Sequence, residues 1–242
     1  MRKNTPLPIP AYFRMQTVVR EEIEKGRWKP GEAIPTERAL AEEHRISIGT
    51  VKKALLNLTH EGYLYRIQGK GTFVAGTITR ENLRYYRLME HFGGIEAAMK
   101  IRFLSLTSVK CPEAARTCLG IGQKQPVFEL RRLFIFDQRP VIYNISYLPE
   151  ALFKNLGRLP ETLFETTPLY IALENHYGLP TLHNQELFNA VPAGEEVAAI
   201  LDVPKETPVL HIEMISFTYK DKPYEYRQAY CLTTRQKVFR EI

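Results

Sequence analysis

Between residues 11 and 25 the apolar side chains Tyr12, Met15, Val19 and Ile23 recur every three or four positions, the spacing that lines one face of an α-helix. Gly26 follows, where a left-handed residue ends a helix at little cost. Pro30-Gly31 makes a turn and residues 33–35 a short extended piece. Thr36 is a good N-cap for a second helix over 37–44, with Ala39 and Leu40 as its apolar side and Glu42 and Glu43 in water. Ser47 is placed to cap a third helix that runs to about residue 61. Val51, Leu55 and Leu58 share the core face of that helix, which turns Lys52 and Lys53 outward. Gly62 stops it, and residues 63–67 and 72–74 read as two strands about the tight turn Gln68-Gly69-Lys70-Gly71. Three helices followed by a hairpin is the order of a winged helix-turn-helix.

The pattern loosens between residues 76 and 99, where Thr77, Thr79, Asn82 and Gly93-Gly94 interrupt the apolar content. This stretch is predicted to be a linker between a domain at 1–75 and a second at 100–242. The second domain reads as strands at 101–109, 127–136, 141–148, 186–191, 209–219 and 224–232, with helices at 112–119, 169–177 and 194–201. That mixture makes it an α+β domain. Two hairpins of similar design turn at 137–140 and 220–223, and in each a proline opens the second strand, where no ladder N–H is needed.

A chain of 242 residues is long enough for two domains that each bury a core without disulfides or metal. Cys111, Cys118 and Cys231 are an odd number without CxxC spacing, which fits neither a disulfide framework nor a zinc site. They are expected to be ordinary buried thiols in a reduced, cytoplasmic setting. Neither a secretory signal nor a bilayer-crossing run is expected. The net charge of +6 is uneven: residues 1–75 hold 13 Lys and Arg against 8 Asp and Glu, while the remainder is nearly balanced. A local basic excess points to a polyanion such as DNA as the partner of the first domain.

Enzyme signatures are missing: there is no HExxH, no GxSxG and no dinucleotide fingerprint. His211 and Glu213 share a strand face but lack the cysteine pair of a zinc deaminase. Gly69-Lys70-Gly71 lacks both the earlier glycine and the Ser/Thr of a P-loop. No catalytic residue, metal or cofactor is therefore expected. Tyr63, Tyr65 and Phe73 read as packing between wing and helices.

Residues 10–75 resemble the DNA-binding domain of the GntR family, and the whole chain resembles its HutC subfamily, whose second half is a UTRA domain. The resemblance is carried by Glu22-Ile23 through Gly26, Lys29-Pro30-Gly31-Glu32 and Ile34-Pro35-Thr36-Glu37-Arg38-Ala39-Leu40-Ala41. It continues through Ser47, Thr50-Val51, Ala54-Leu55, Leu58, Glu61-Gly62 and Gln68 to Val74. It implies a DNA-contacting set of Arg38, Ser47, Ile48, Gly49, Thr50, Lys52, Lys53, Gln68, Gly69 and Lys70. Arg38 can reach a guanine edge with two parallel donors, bind a phosphate with one, or remain a solvated arginine; the resemblance favours the base. Ser47, Gly49 and Thr50 bring small groups and backbone donors to a helix N-terminus that suits a phosphate, a role compatible with capping by Ser47. The family commonly carries arginine where this chain has Ile48 and Lys52. Ile48 offers apolar contact to a thymine methyl and Lys52 a point charge, so a different operator is expected. Gly69 lets the wing backbone approach a groove, and Lys70 adds charge.

In the second half, Arg132, the 137–140 turn, Tyr147-Leu148-Pro149, Leu169-Tyr170 and Pro223-Tyr224-Glu225 resemble the UTRA domain. The resemblance implies an antiparallel, chorismate lyase-like sheet. It also implies a small effector held by Arg132, Tyr147, Tyr170, Glu225 and Arg227, and a homodimer formed mainly through this half. Arg132 would anchor an anionic group and Glu225 accept hydrogen bonds. Two alternatives stay open: one of Arg131 and Arg132 faces solvent, and Glu225 forms a structural ion pair with Arg227. Phe134 and Asn144 stand where relatives often carry arginine and glutamate, which weakens the case for a sugar phosphate as effector and points to a less polar ligand. The reading is a ligand-responsive repressor of double-stranded operator DNA. Its rival is an enzyme acting on a small molecule through the chorismate lyase-like fold.

Overall fold

The computed structural model describes residues 9–77, 87–89, 91, 99–234 and 236–239. The chain divides into two compact units, one built on its first 79 residues together with Tyr219–Asp221, the other on the remainder.

The first unit holds α1 (Ala11–Glu24), α2 (Glu37–His44), α3 (Ile48–His60) and a hairpin of β1 (Leu64–Ile67) and β2 (Gly71–Val74). Both predicted caps form: the Thr36 hydroxyl accepts from Ala39 N–H and the Ser47 hydroxyl from Thr50 N–H. Each satisfies one backbone donor that a helix start would otherwise leave without a partner. Arg45 takes the left-handed conformation (φ 52°) as the C-cap of α2, making the sharp turn into α3. Met15, Val19, Ile23, Leu40, Val51, Leu55 and Leu58 form the core, none more than 6% exposed. The buried pair on α2 is Leu40 and Ala41, whereas Ala39, expected on the apolar side, is exposed. The extended piece before α2 joins the wing through an antiparallel bridge between Ala33 and Phe73.

The second unit is a six-stranded sheet of β4 (Lys100–Lys110), β5 (Pro126–Phe136), β6 (Arg139–Pro149), β7 (His183–Pro192), β8 (Pro208–Thr218) and β9 (Lys222–Cys231). Their order is β4-β5-β6-β9-β8-β7 and every pairing is antiparallel. Tyr219, expected to end a strand, lies instead in a short 3-10 turn, Tyr219–Asp221. In the other hairpin Asp137 and Gln138 both have positive φ, as a two-residue turn matching strand twist requires. Helices α4 (Glu113–Leu119) and α7 (Gly194–Leu201) pack on one face, over Val127, Leu133, Tyr143, Ile145 and Tyr226. Helices α5 (Glu161–Thr166) and α6 (Leu169–Tyr177) cover one end of the other face through Phe164, Leu169 and Leu173, against Leu130 and Leu148. A small sheet of β3 (Arg87–Met89) and β10 (Lys237–Phe239) covers the opposite end of that face.

Two parts of this unit differ from expectation. The six-residue helix α5, which follows Pro160, is too short to show a period. Strand β3 lies within the stretch expected to be linker, and only its pairing with β10 makes it a strand; residues 78–86, 90 and 92–98 of that stretch lie outside the described residues. The three cysteines are free thiols, with Cys111 and Cys231 buried and Cys118 half-buried; burial pushes the Cys231 thiol up to about 12. No helix among the described residues is long and apolar enough to cross a membrane.

Candidate functional site

Capping places the exposed face of α3. Ser47 Oγ lies 2.8 Å from Thr50 Oγ1 and 3.1 Å from Thr50 N, so both hydroxyls are tied to the helix start. Ile48, Lys52, Leu56 and His60 follow at four-residue intervals, all exposed, while Val51, Ala54, Leu55 and Leu58 are buried. Ile48 is 45% and Leu56 49% exposed, so this face presents aliphatic surface beside Lys52. The nearest atom to a Cβ placed on Gly49 would be Ser47 Oγ at 3.8 Å, so the helix start is open. Lys53 folds back, its Nζ 4.1 Å from the centroid of the Tyr12 ring on α1. Arg38, at the second position of α2, donates from Nε to Glu42 at 3.0 Å with its side chain 82% exposed. An exposed i,i+4 pair of this kind is worth about 0.3–0.5 kcal/mol, too little to withhold the guanidinium from a ligand.

At the wing tip Gln68, Gly69 and Lys70 are all exposed, and Lys70 N–H donates to Ile67 C=O across the turn. Gly69 has φ 76°, a backbone conformation that a side chain would strain. Tyr65 stacks on Phe73, and the Tyr63 hydroxyl donates to Glu24 at 2.6 Å, so these aromatics pack the wing as expected.

In the second unit, strand register assembles a row of buried polar side chains. Arg132 stands beside Asn144, Ser146 beside Arg227, and Ser216 beside Glu225. All six are buried, none more than 6% exposed, and the row runs between the two apolar clusters on the α5/α6 face of the sheet. Glu225 accepts from Arg227 Nε at 2.8 Å and Nη2 at 3.0 Å, and more weakly from Ser216 Oγ at 3.4 Å. Asn144 Oδ1 and Ser146 Oγ are buried with no hydrogen-bond partner among the described residues. Leaving such an atom unsatisfied costs about 1–3 kcal/mol, so a polar partner placed beside the row would be favoured. The Arg132 guanidinium also lies 5.6 Å from the Phe134 ring centroid, within cation–π range. Tyr170, half-buried on α6, belongs to the layer that covers this same face.

Tyr147 does not join this row. It lies an odd number of positions from Asn144 and Ser146, and strand alternation turns it to the α4/α7 face, where it stacks on Tyr226. Arg131 shares that face, bound to Glu129 at 2.7 Å and Glu196 at 2.6 Å. It is thus a half-buried ion-pair residue, and Arg132 is the deeply buried one. Burial pushes the neighbouring Tyr143 hydroxyl up to about 12, against the opposing pull of Arg131. Ser146 and Ser216 were not singled out from the sequence, and Asn144 was noted only as a position where relatives often carry glutamate. The signal for Asn144 and Ser146 is two polar residues at alternate positions of the otherwise apolar run 141–148, whereas β8, with His211 and Glu213 also polar, carries no such signal for Ser216. Among the described residues no group of three or more His, Cys, Asp or Glu could hold a metal ion.

Comparison with known proteins agrees with this geometry. The pattern of the bacterial regulatory proteins of the gntR family matches residues 14–74, and that of the UTRA domain matches residues 96–237. The chain is 30% identical over 218 residues to the uncharacterized HTH-type transcriptional regulator YurK of Bacillus subtilis, covering 88% of each chain. It is 27% identical to the HTH-type transcriptional repressor NagR of the same organism, over 95% of this chain and 93% of that one. Its fold is similar to the crystal structure of PhnF from Mycobacterium smegmatis, with TM-score 0.55 at 19% identity over 94% of this chain and 98% of that one. A capped helix-turn-helix with its wing, and a separate sheet domain with a buried polar row, are thus the two halves of a transcription regulator: the chain belongs to the GntR family, with a UTRA domain as its second half.

Proposed function

We propose that this regulator is a repressor of the HutC subfamily, released from its operator by a small-molecule effector bound along the row from Arg132 to Glu225. Asn144 Oδ1 and Ser146 Oγ, buried without a partner among the described residues and on the same face as two guanidiniums, carry this reading, because a bound polar group would satisfy them. Arg132, Tyr170, Glu225 and Arg227 hold the effector, joined by Asn144 and Ser146 in place of Tyr147. NagR is named a repressor, which supports the same direction of control here. The protein works in the cytoplasm as a homodimer paired mainly through residues 100–242, with residues 1–75 as its DNA-binding head and the segment between them as linker. Two copies of α3 then meet half-sites about one helical turn, roughly 10 bp, apart. A coupling of about 1–3 kcal/mol between the two sites is enough to lower operator affinity about 5- to 150-fold.

On the head, Arg38 reads a base, while Ser47, Gly49 and Thr50 present donors to a phosphate. Ile48 reaches a thymine methyl, Lys52 and Lys53 supply charge, and Gln68, Gly69 and Lys70 enter the adjacent groove. Lys70→Ala should make the salt dependence of binding shallower by about one phosphate contact with little change in sequence preference. Operator affinity measured across a salt series checks this, and an unchanged slope would remove Lys70 from the interface.

The switch is tested by thermal-shift screening of the full chain against small polar metabolites, followed by titration of each stabilising compound against protein bound to its own promoter duplex. A ligand at 100 times its Kd stabilises by about 2.7 kcal/mol. If stabilising compounds leave promoter affinity unchanged, the effector-release mechanism is wrong. A binding role without turnover is in keeping with a family of transcription regulators.

A further inference from the structure

Glu37 stands outside the roles assigned above. It is the first residue of α2, where a carboxylate is favoured by the helix dipole. Its Oε1 accepts from Arg66 Nη2 of wing strand β1 at 2.9 Å, and its Oε2 lies 3.9 Å from Lys52 Nζ on the exposed face of α3. One carboxylate therefore touches cations from the wing and from the recognition helix while fixed to the start of the helix that carries Arg38. Both cations are open to solvent, with side-chain exposures of 62% for Lys52 and 45% for Arg66. Pairs this exposed add about 0–1 kcal/mol to folding, so stability gives little reason for the arrangement.

We propose that Glu37 is a specificity-determining positioning residue, and that Arg66, which it holds, is a further DNA contact from the wing. The argument follows from what sequence-independent binding is made of. Affinity for arbitrary DNA comes almost entirely from cations neutralising phosphates. The start of α2 is itself a place that attracts phosphate, through its helix dipole. A fixed carboxylate there repels a phosphate that arrives in the wrong register and offsets the charge of Lys52 and Arg66. On the operator, phosphates and base edges meet those two side chains where Glu37 holds them, and the fit offsets the repulsion. Glu37 thus lowers affinity for arbitrary sequence more than affinity for the operator, and discrimination is the difference between the two.

The experiment uses the full chain and measures binding to a random-sequence duplex and to a duplex from the protein's own promoter, between about 50 and 200 mM salt. Glu37→Gln should bind the random duplex roughly three- to tenfold more tightly, with a salt slope steeper by about one, and narrow the ratio between the two duplexes. Arg66→Ala should weaken binding to both duplexes and make the slope shallower by about one. Random-duplex binding by Glu37→Gln that is unchanged or weaker, at a wild-type melting temperature, would show that Glu37 is a surface ion pair and nothing more. Should Glu37→Gln melt early, Arg66→Ala decides the matter in a chain that keeps Glu37, and a wild-type slope there overturns the wing contact and the proposal with it.

Discussion

Glu225→Ala is expected to lower the free energy of unfolding by about 3–5 kcal/mol, the cost of breaking a buried ion pair by removing one partner. The size of the effect comes from what is left behind. Arg227, its side chain 8% exposed, would lose both hydrogen bonds from Nε and Nη2 to a carboxylate that is itself fully buried. The guanidinium cannot lose its charge, and its position in the middle of β9 denies it a route to water. Replacing both partners with apolar residues of similar volume, Glu225→Leu with Arg227→Met, should recover much of that loss, because the two opposite charges are removed together. The double variant should nevertheless be deaf to effector. Urea unfolding of the three proteins measures the first effect and thermal shift with a stabilising metabolite the second. A single variant within about 1 kcal/mol of wild type would show that Arg227 is satisfied without Glu225.

Arg38→Ala is expected to cost about 1–3 kcal/mol on operator DNA and to relax the choice of base at one position. Among the described residues Arg38 is held in the free protein by Glu42 alone, one turn along α2, and its side chain is 82% exposed. Turning toward DNA therefore gives up little. In return the planar fork gains two parallel hydrogen bonds on a guanine edge. Binding of the variant to operator duplexes with each base in turn, and to random DNA, separates the two roles of an arginine at this place. Equal losses on operator and random sequence would reassign Arg38 to a phosphate.

Much of the head was legible in advance because its determinants are local. Thr36 and Ser47 cap helices through groups three residues away, and the core face of α3 follows from spacing along one helix. A cap or a helical stripe needs no knowledge of what lies across the fold. The wing was legible for the same reason, since a two-stranded hairpin is decided by its turn and by alternation on either side. Even there Ala39 was placed on the wrong side, because a helix of only eight residues leaves the direction of its buried face poorly determined.

The buried polar row followed a different logic. Arg132, Glu225 and Arg227 were found through family resemblance, and alternation alone would not have joined a residue of β5 to residues of β9. Their neighbourhood exists because β6 lies between those two strands, with Asn144 beside Arg132 and Ser146 beside Arg227. Tyr147 stands apart for the complementary reason: a motif carried it into the candidate set, and the two-residue period of a strand turned its side chain to the opposite face.

By itself the chain determined the order of its elements, their capped ends, the basic first part and the family to which it belongs, since each rests on residues close together in sequence. Only the tertiary structure decided which polar residues share a buried face, that Glu37 meets both Lys52 and Arg66, and that residues 87–89 form a strand with 237–239. Those contacts depend on strand order and register, which are set by the packing of the whole sheet and the whole head and leave no mark on any short stretch of sequence.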